Sequence, residues 1–158
     1  MRKSAYITFC GTYRYALGRV WWSELLDEKA CLINFIGLNP STADANLDDP
    51  TIRRCIGFTK AWGYNGFAMT NLFAFRATQP EDMKKAADPI GPENDRWLRL
   101  ISKNSALNVA CWGTDGTFMN RADEVKKIVS NLHCIRHTKD GHPEHPLYLP
   151  KNLTPILL

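Results

Sequence analysis

The sequence predicts an α/β fold: a three-layer α/β/α sandwich with a central, mostly parallel four-stranded sheet and an N-terminal β arm. Three observations lead there. Short, nearly continuous apolar runs recur along the chain, as suits strands buried on both faces. Helix-start signals stand between them, with a polar or acidic residue just ahead of Pro. Strand and helix therefore alternate, the pattern of parallel strands whose crossovers cover both faces of a sheet. No linker, internal repeat or low-complexity tract divides the chain, so residues 1–158 read as one domain.

Tyr6 to Trp22 is aromatic and β-prone, broken at Cys10-Gly11-Thr12, and reads as a hairpin or edge arm. Ala30 to Gly37 is the first core strand. Asp49-Pro50 then opens a helix, with Ile52, Ile56 and Trp62 on helical spacing. Gly66 to Leu72 is a second strand, Gln79-Pro80-Glu81-Asp82 opens a short helix, and Gly91-Pro92-Glu93-Asn94 opens another that reaches Lys103. Leu107 to Gly113 is a third strand, Phe118–Asn131 a helix, and Leu132 to Ile135 the last strand. In such folds ligands bind beyond the carboxyl ends of the strands. The loops after Gly37, Thr70, Trp112 and Ile135 are thus expected around one crevice.

Composition narrows the class. A hydrophobic fraction of 44% is enough for a core and excludes disorder. The net charge of +4 is compatible with a nucleic-acid partner without demanding one. Cys10, Cys31, Cys55, Cys111 and Cys134 form no C-x-x-C pair, which argues against a disulfide framework, a zinc ribbon and an iron–sulfur cluster. The expected compartment is the reducing cytoplasm. Met1-Arg2-Lys3-Ser4 has no long apolar run behind it, so no signal peptide is expected, and no stretch approaches a membrane span. Four histidines, His133, His137, His142 and His145, lack metal-ligand spacing; neither metal nor cofactor is expected.

Chemistry concentrates in three places. Gly37-Leu38-Asn39-Pro40-Ser41-Thr42-Ala43-Asp44 follows the first core strand and sets short polar groups at its end. Asn39 there either caps its own turn or faces a ligand. Thr70-Asn71, followed by Phe73, Phe75 and Arg76, ends the second strand with an amide able to read a base edge or cap the backbone. Thr138 to Leu147 is a late loop holding His142 and His145. Arg53 and Arg54 oppose the dipole at the start of their helix, and a phosphate would account for them; so would solvation. Lys139 precedes Gly141 in a comparable loop. Tyr13, Arg14, Tyr15, Arg19, Trp21 and Trp22 mix aromatic and basic groups along the arm. P-loop, G-x-G-x-x-G and G-x-S-x-G motifs are missing from the sequence.

The ordered set Gly37-Leu38-Asn39-Pro40, Thr70-Asn71-Leu72 and His145-Pro146-Leu147 resembles the motifs of the uracil-DNA glycosylase superfamily. The first looks most like the mismatch-specific branch, which carries Asn rather than Asp. Over nearly its whole length the chain resembles a family of small bacterial and phage proteins catalogued as a domain of unknown function. That likeness runs through Cys10-Gly11, Tyr13-Arg14-Tyr15, Asp49-Pro50-Thr51-Ile52-Arg53-Arg54, Asn71-Leu72-Phe73-Ala74, Arg76-Ala77-Thr78, Gly91 to Asp95 and His145 to Leu149. Some of its members are associated with anti-phage excision of modified bases such as glucosylated hydroxymethylcytosine.

The resemblance implies a monofunctional DNA glycosylase of uracil-DNA glycosylase-like fold, a monomer acting on DNA, modified phage DNA included. Such an enzyme flips the base out of the helix. By the same resemblance Asn39 orients the attacking water and His145 donates a hydrogen bond to the leaving base. Asn71 reads the base, with Ser41, Thr42, Asp44 and Asp49 around it and Phe73 or Tyr13 stacking. An amide cannot remove a proton, so Asn39 in place of Asp predicts slower chemistry, or help from Asp44 or Asp49. Arg53, Arg54, Arg76 and Lys139 are the phosphate-binding candidates. Two other readings stay open: a nucleic-acid-binding protein without turnover, and an enzyme that modifies nucleotides or DNA.

Overall fold

The computed structural model describes residues 1–21 and 31–158. Trp22 and Ala30, both expected in strands, lie outside the described residues. The strands are β1 (Arg2–Ile7), β2 (Arg14–Val20), β3 (Leu32–Gly37), β4 (Gly66–Asn71), β5 (Leu107–Ala110), β6 (Leu132–Cys134) and β7 (Ile156–Leu157). The α-helices among the described residues are α1 (Pro50–Ala61), α2 (Pro80–Lys84), α3 (Asn94–Lys103) and α4 (Arg121–Ile128).

The seven strands of the described residues join one mixed sheet in the order β1-β2-β4-β3-β5-β6-β7. The expected sheet of four strands is thus too small. The expected core strands β4, β3, β5 and β6 are parallel neighbours. The N-terminal segment is a hairpin, and it extends that sheet: β2 runs antiparallel to β4, with Leu17 opposite Met69 and Val20 opposite Gly66. β7 adds an antiparallel pairing to β6. Both additions cover strand edges that would otherwise present unpaired backbone groups.

Packing follows the alternation of the strands. Ile33 and Phe35 of β3 belong to a cluster with Phe67, Met69 and Val109, which buries Ile52, Cys55 and Phe58 of α1. Ile36 belongs to a second cluster, with Leu72, Leu98 of α3, Trp112 and Val125 of α4. Ile56 and Trp62 pack at the margin of the first cluster. Cys55, Cys111 and Cys134 are buried, whereas Cys10 and Cys31 are exposed.

A polar ladder crosses the centre of the sheet. Thr70 Oγ1 donates to Asn34 Oδ1 at 2.9 Å, and Asn34 Nδ2 donates to Asn108 Oδ1 at 3.1 Å. Satisfied networks of this kind pin strand register in a low-dielectric interior. Thr70 therefore serves the sheet.

α1 starts as its residues require: the Asp49 side chain accepts from the Ile52 amide at 2.9 Å, with Pro50 at the first helical position. The helix expected from Phe118 to Asn131 is shorter, because Phe118 is extended and Met119 and Asn120 have φ near 53° and 54°. Thr114–Asn120, 3₁₀ turns broken by a kink at Phe118 and Met119, occupies the gap before α4. No helix of the described residues is long and apolar enough to cross a membrane.

Candidate functional site

In chain order the parallel strands are β3, β4, β5, β6, yet in space β3 lies between β4 and β5. The connections after β3 and β5 therefore depart in opposite senses and leave a crevice beyond their carboxyl ends. A cavity of about 590 Å³ opens there. Its size suits a small organic ligand. Gly37, Leu38 and Asn39 line it at and after the end of β3, Asn71 at the end of β4, Cys111, Trp112 and Gly113 just after β5, and His145 from the late loop.

Asn39 is held by its own amide. Nδ2 donates to Ala77 O at 2.9 Å and to Pro40 O at 3.2 Å. Two facing acceptors fix that end as the NH₂ group, which leaves Oδ1 as an acceptor with no protein donor among the described residues. The turn-holding and ligand-facing readings of Asn39 thus belong to different atoms of one side chain.

Asn71 is 3% exposed, and its Nδ2 is a buried donor with no partner among the described residues. Gly37 makes room for it, since a Cβ there would stand 2.8 Å from Asn71 Oδ1. Behind it Asn94, wholly buried, donates from Nδ2 to Asn71 O and Leu72 O, each at 3.0 Å.

The late loop is tied down at both sides of His145. The Gly113 amide donates to Pro143 O at 2.8 Å, and Arg54 Nε donates to Pro146 O at 3.2 Å. His145 Nδ1 accepts from the Leu147 amide at 3.2 Å, which puts the proton of the neutral ring on Nε2. The side chain is exposed at the cavity rim, yet the surrounding atoms desolvate the ring and lower its pKa, against an opposing pull from Asp49. The lowered pKa favours the neutral ring, whose donor is then Nε2.

Ser41, Thr42 and Asp49 also line the cavity. Asp49 Oδ1 is engaged at the cap of α1, and Oδ2 has no hydrogen bond among the described residues. Asp44 falls outside the lining: its carboxylate accepts from the Asn46 and Leu47 amides at 2.7 and 2.8 Å, which hold its pKa low. Phe73 is fully buried and packs on Phe118 with ring centroids 5.6 Å apart, so no base can stack on it. Tyr13 also lies outside the lining, its hydroxyl donating to Asp88 O at 2.8 Å.

The basic candidates divide. Arg53 and Arg54, with Lys151, border a second groove of about 560 Å³ that shares Pro50 and Leu147 with the cavity. Arg53 donates to Asp48 O at 2.6 Å, and Arg54 lies 5.0 Å over the Phe58 ring. Lys139 stands exposed on the Thr138–Gly141 turn, away from both spaces. Arg76 is half-buried beside the arm and donates to Gly11 O at 3.2 Å. Among the described residues no group of His, Cys, Asp and Glu is arranged to hold a metal.

Arg14 is a lining residue that sequence reasoning assigned only to a mixed arm. It is 3% exposed, and Nη1 donates to Ala43 O at 2.6 Å. Burial pushes its pKa down to about 10; Asp49 opposes that shift and Arg76 adds to it. The available signal was an arginine inside the run Tyr13 to Leu17, where a strand buries its neighbours.

A family model described as "Protein of unknown function (DUF1643)" matches residues 14–147. Comparison with curated proteins and with solved structures found no match to either.

Proposed function

The chain belongs to that family of proteins of unknown function, and we propose that it is a monofunctional DNA glycosylase of the uracil-DNA glycosylase type. In this reading the sheet and its helices are the three-layer sandwich of that superfamily. One observation carries the proposal: Asn39, Asn71 and His145, from three distant segments, line one cavity at the strand ends.

The chemistry suits those groups. Cleaving the N-glycosidic bond adds water to C1′, while the base leaves with the bonding electrons. Positive charge builds on the sugar and negative charge on the base. Asn39 Oδ1 accepts from the water and aims it. Asp49 supplies the carboxylate that an amide lacks, favouring the sugar cation and receiving the water's proton. The neutral His145 ring donates from Nε2 to the departing base. Asn71 Nδ2, lacking a protein partner, pairs with an acceptor on the flipped base. The adjoining groove with Arg53, Arg54 and Lys151 suits flanking phosphates. A modified base, in the setting of anti-phage defence, is the substrate this reading favours.

The test is abasic-site formation on DNA containing uracil, a G·T mismatch, hydroxymethylcytosine, glucosylated hydroxymethylcytosine, or whole modified phage DNA. Alkali-labile breaks on one substrate, lost in an Asn39→Ala, His145→Ala double variant, would name the base. Retained DNA binding with no breaks on any substrate would replace the enzyme by a binding protein.

A further inference from the structure

Three arginines are almost fully buried in this fold, and they are not served alike. Arg19 pairs with Asp48 at 2.7 Å, and its guanidinium donates to four backbone carbonyls. Arg121 pairs with Asp95 and Glu124 and donates to Leu72 O. Arg14 has no carboxylate within ion-pair distance among the described residues. Nη1 has the Ala43 carbonyl, whereas Nε is buried without a partner and Nη2 has no acceptor among the described residues. A buried guanidinium with unmet donors is costly, and such a group calls for a partner that completes it.

A second arginine, half-buried and outside the cavity lining, stands on the adjoining segment. The chain around Tyr13 bridges Phe75, with the Arg14 amide donating to Ala74 O and the Arg76 amide to Thr12 O, each at 3.0 Å. Among the described residues Arg76 also has no carboxylate within ion-pair distance, and its Nε is likewise buried with no partner. The next residue, Ala77, supplies the carbonyl that holds Asn39. Asp49 and Asp44 act on these cations only from beyond ion-pair distance, so the two like charges still repel, and an oxyanion in contact with both relieves them.

We propose that Arg14, which lines the cavity, and Arg76, which stands outside the lining on the adjoining segment, form an oxyanion site at the cavity margin, built for a phosphate group of the nucleotide whose base occupies it. Assigning that phosphate to a DNA strand rests on the base-excision reading; the anion site itself does not. A planar guanidinium with unused N–H donors matches phosphate oxygens in pairs, which a lysine ammonium cannot reproduce.

Thermal unfolding is followed while inorganic phosphate is titrated at constant ionic strength, with chloride as the reference salt. The expected result is saturable protection by phosphate, weakened about tenfold or more in Arg14→Gln and in Arg76→Gln. Protection is expected unchanged in Arg96→Gln, whose side chain is 81% exposed. If Arg14→Gln does not fold, Arg76→Gln alone carries the comparison. Equal protection of all variants, or none beyond chloride, overturns the site. A short single-stranded oligonucleotide and a nucleoside 5′-monophosphate then compete against phosphate to identify the source. Phosphate binding with no abasic sites on any DNA would keep the anion site and remove the glycosylase.

Discussion

Replacing Asn94, which does not itself line the cavity, is expected to loosen the site from behind. Its Nδ2 is the donor that Asn94 brings to Asn71 O, while Leu72 O has a second one in Arg121 Nε at 2.8 Å. In Asn94→Ala one buried carbonyl loses its Asn94 donor, at about 1–3 kcal/mol, and the other keeps a partner. The lost side-chain contacts add to this, and removal of the unpartnered Oδ1 offsets part of it. The net expectation is about 2 kcal/mol, which at a urea m-value of about 2 kcal/mol/M lowers the midpoint by about 1 M.

Asn94→Asp goes further, because it sets a buried carboxylate against two carbonyl oxygens. Burial and those acceptors both favour the protonated acid, so its pKa rises above the unfolded value of about 3.9. The penalty is then full above the folded pKa and fades as pH falls through it. Urea unfolding, followed by fluorescence and circular dichroism together, is measured at pH 5 and pH 8. A midpoint for Asn94→Ala within about 0.25 M of the parent would refute the reasoning. So would an Asn94→Asp variant no less stable than Asn94→Ala at pH 8 and no better at pH 5.

Three further outcomes follow from the same geometry. Asn39→Asp, which chemistry alone would favour as a better catalyst, is expected to lose about 1–3 kcal/mol and gain no rate, because the Pro40 and Ala77 carbonyls lose their donor; a faster, equally stable variant would contradict this. Gly37→Ala is expected to keep the fold at about 1–3 kcal/mol while displacing the Asn71 amide and weakening ligand binding; calorimetry of parent and variant with the same ligand decides it. His145 titrates below its usual 6.5, chiefly through desolvation, so the unfolded chain binds the extra proton first and stability falls as pH drops below that value. The fall is small for a side chain at the rim, and NMR should report a low pKa with the proton on Nε2; a pKa above 6.5 would reverse the sign.

The sequence alone determined the strand–helix alternation, because apolar runs and capping residues act locally. Asp49-Pro50 starts α1 for the reason legible in its residues, and β3 to β6 fall within the apolar runs. It also located Asn39, Asn71 and His145, since strand ends in parallel sheets converge on one crevice. Tertiary structure decided the rest. Whether the arm stood apart or joined the sheet depended on the register of β2 against β4, a pairing across 50 residues of sequence at Gly18 and Ala68. Phe73 follows Asn71 by two residues, yet one is sealed in the core and the other lines the cavity, a difference set by how the chain turns after β4. Asp44 and Asp49 looked equivalent as carboxylates until the fold turned one onto its own loop and the other toward the cavity. Arg14 shows the limit most clearly. An arginine reads as a surface charge in any single sequence, and only three-dimensional packing reveals that this one is buried with no carboxylate in ion-pair contact among the described residues.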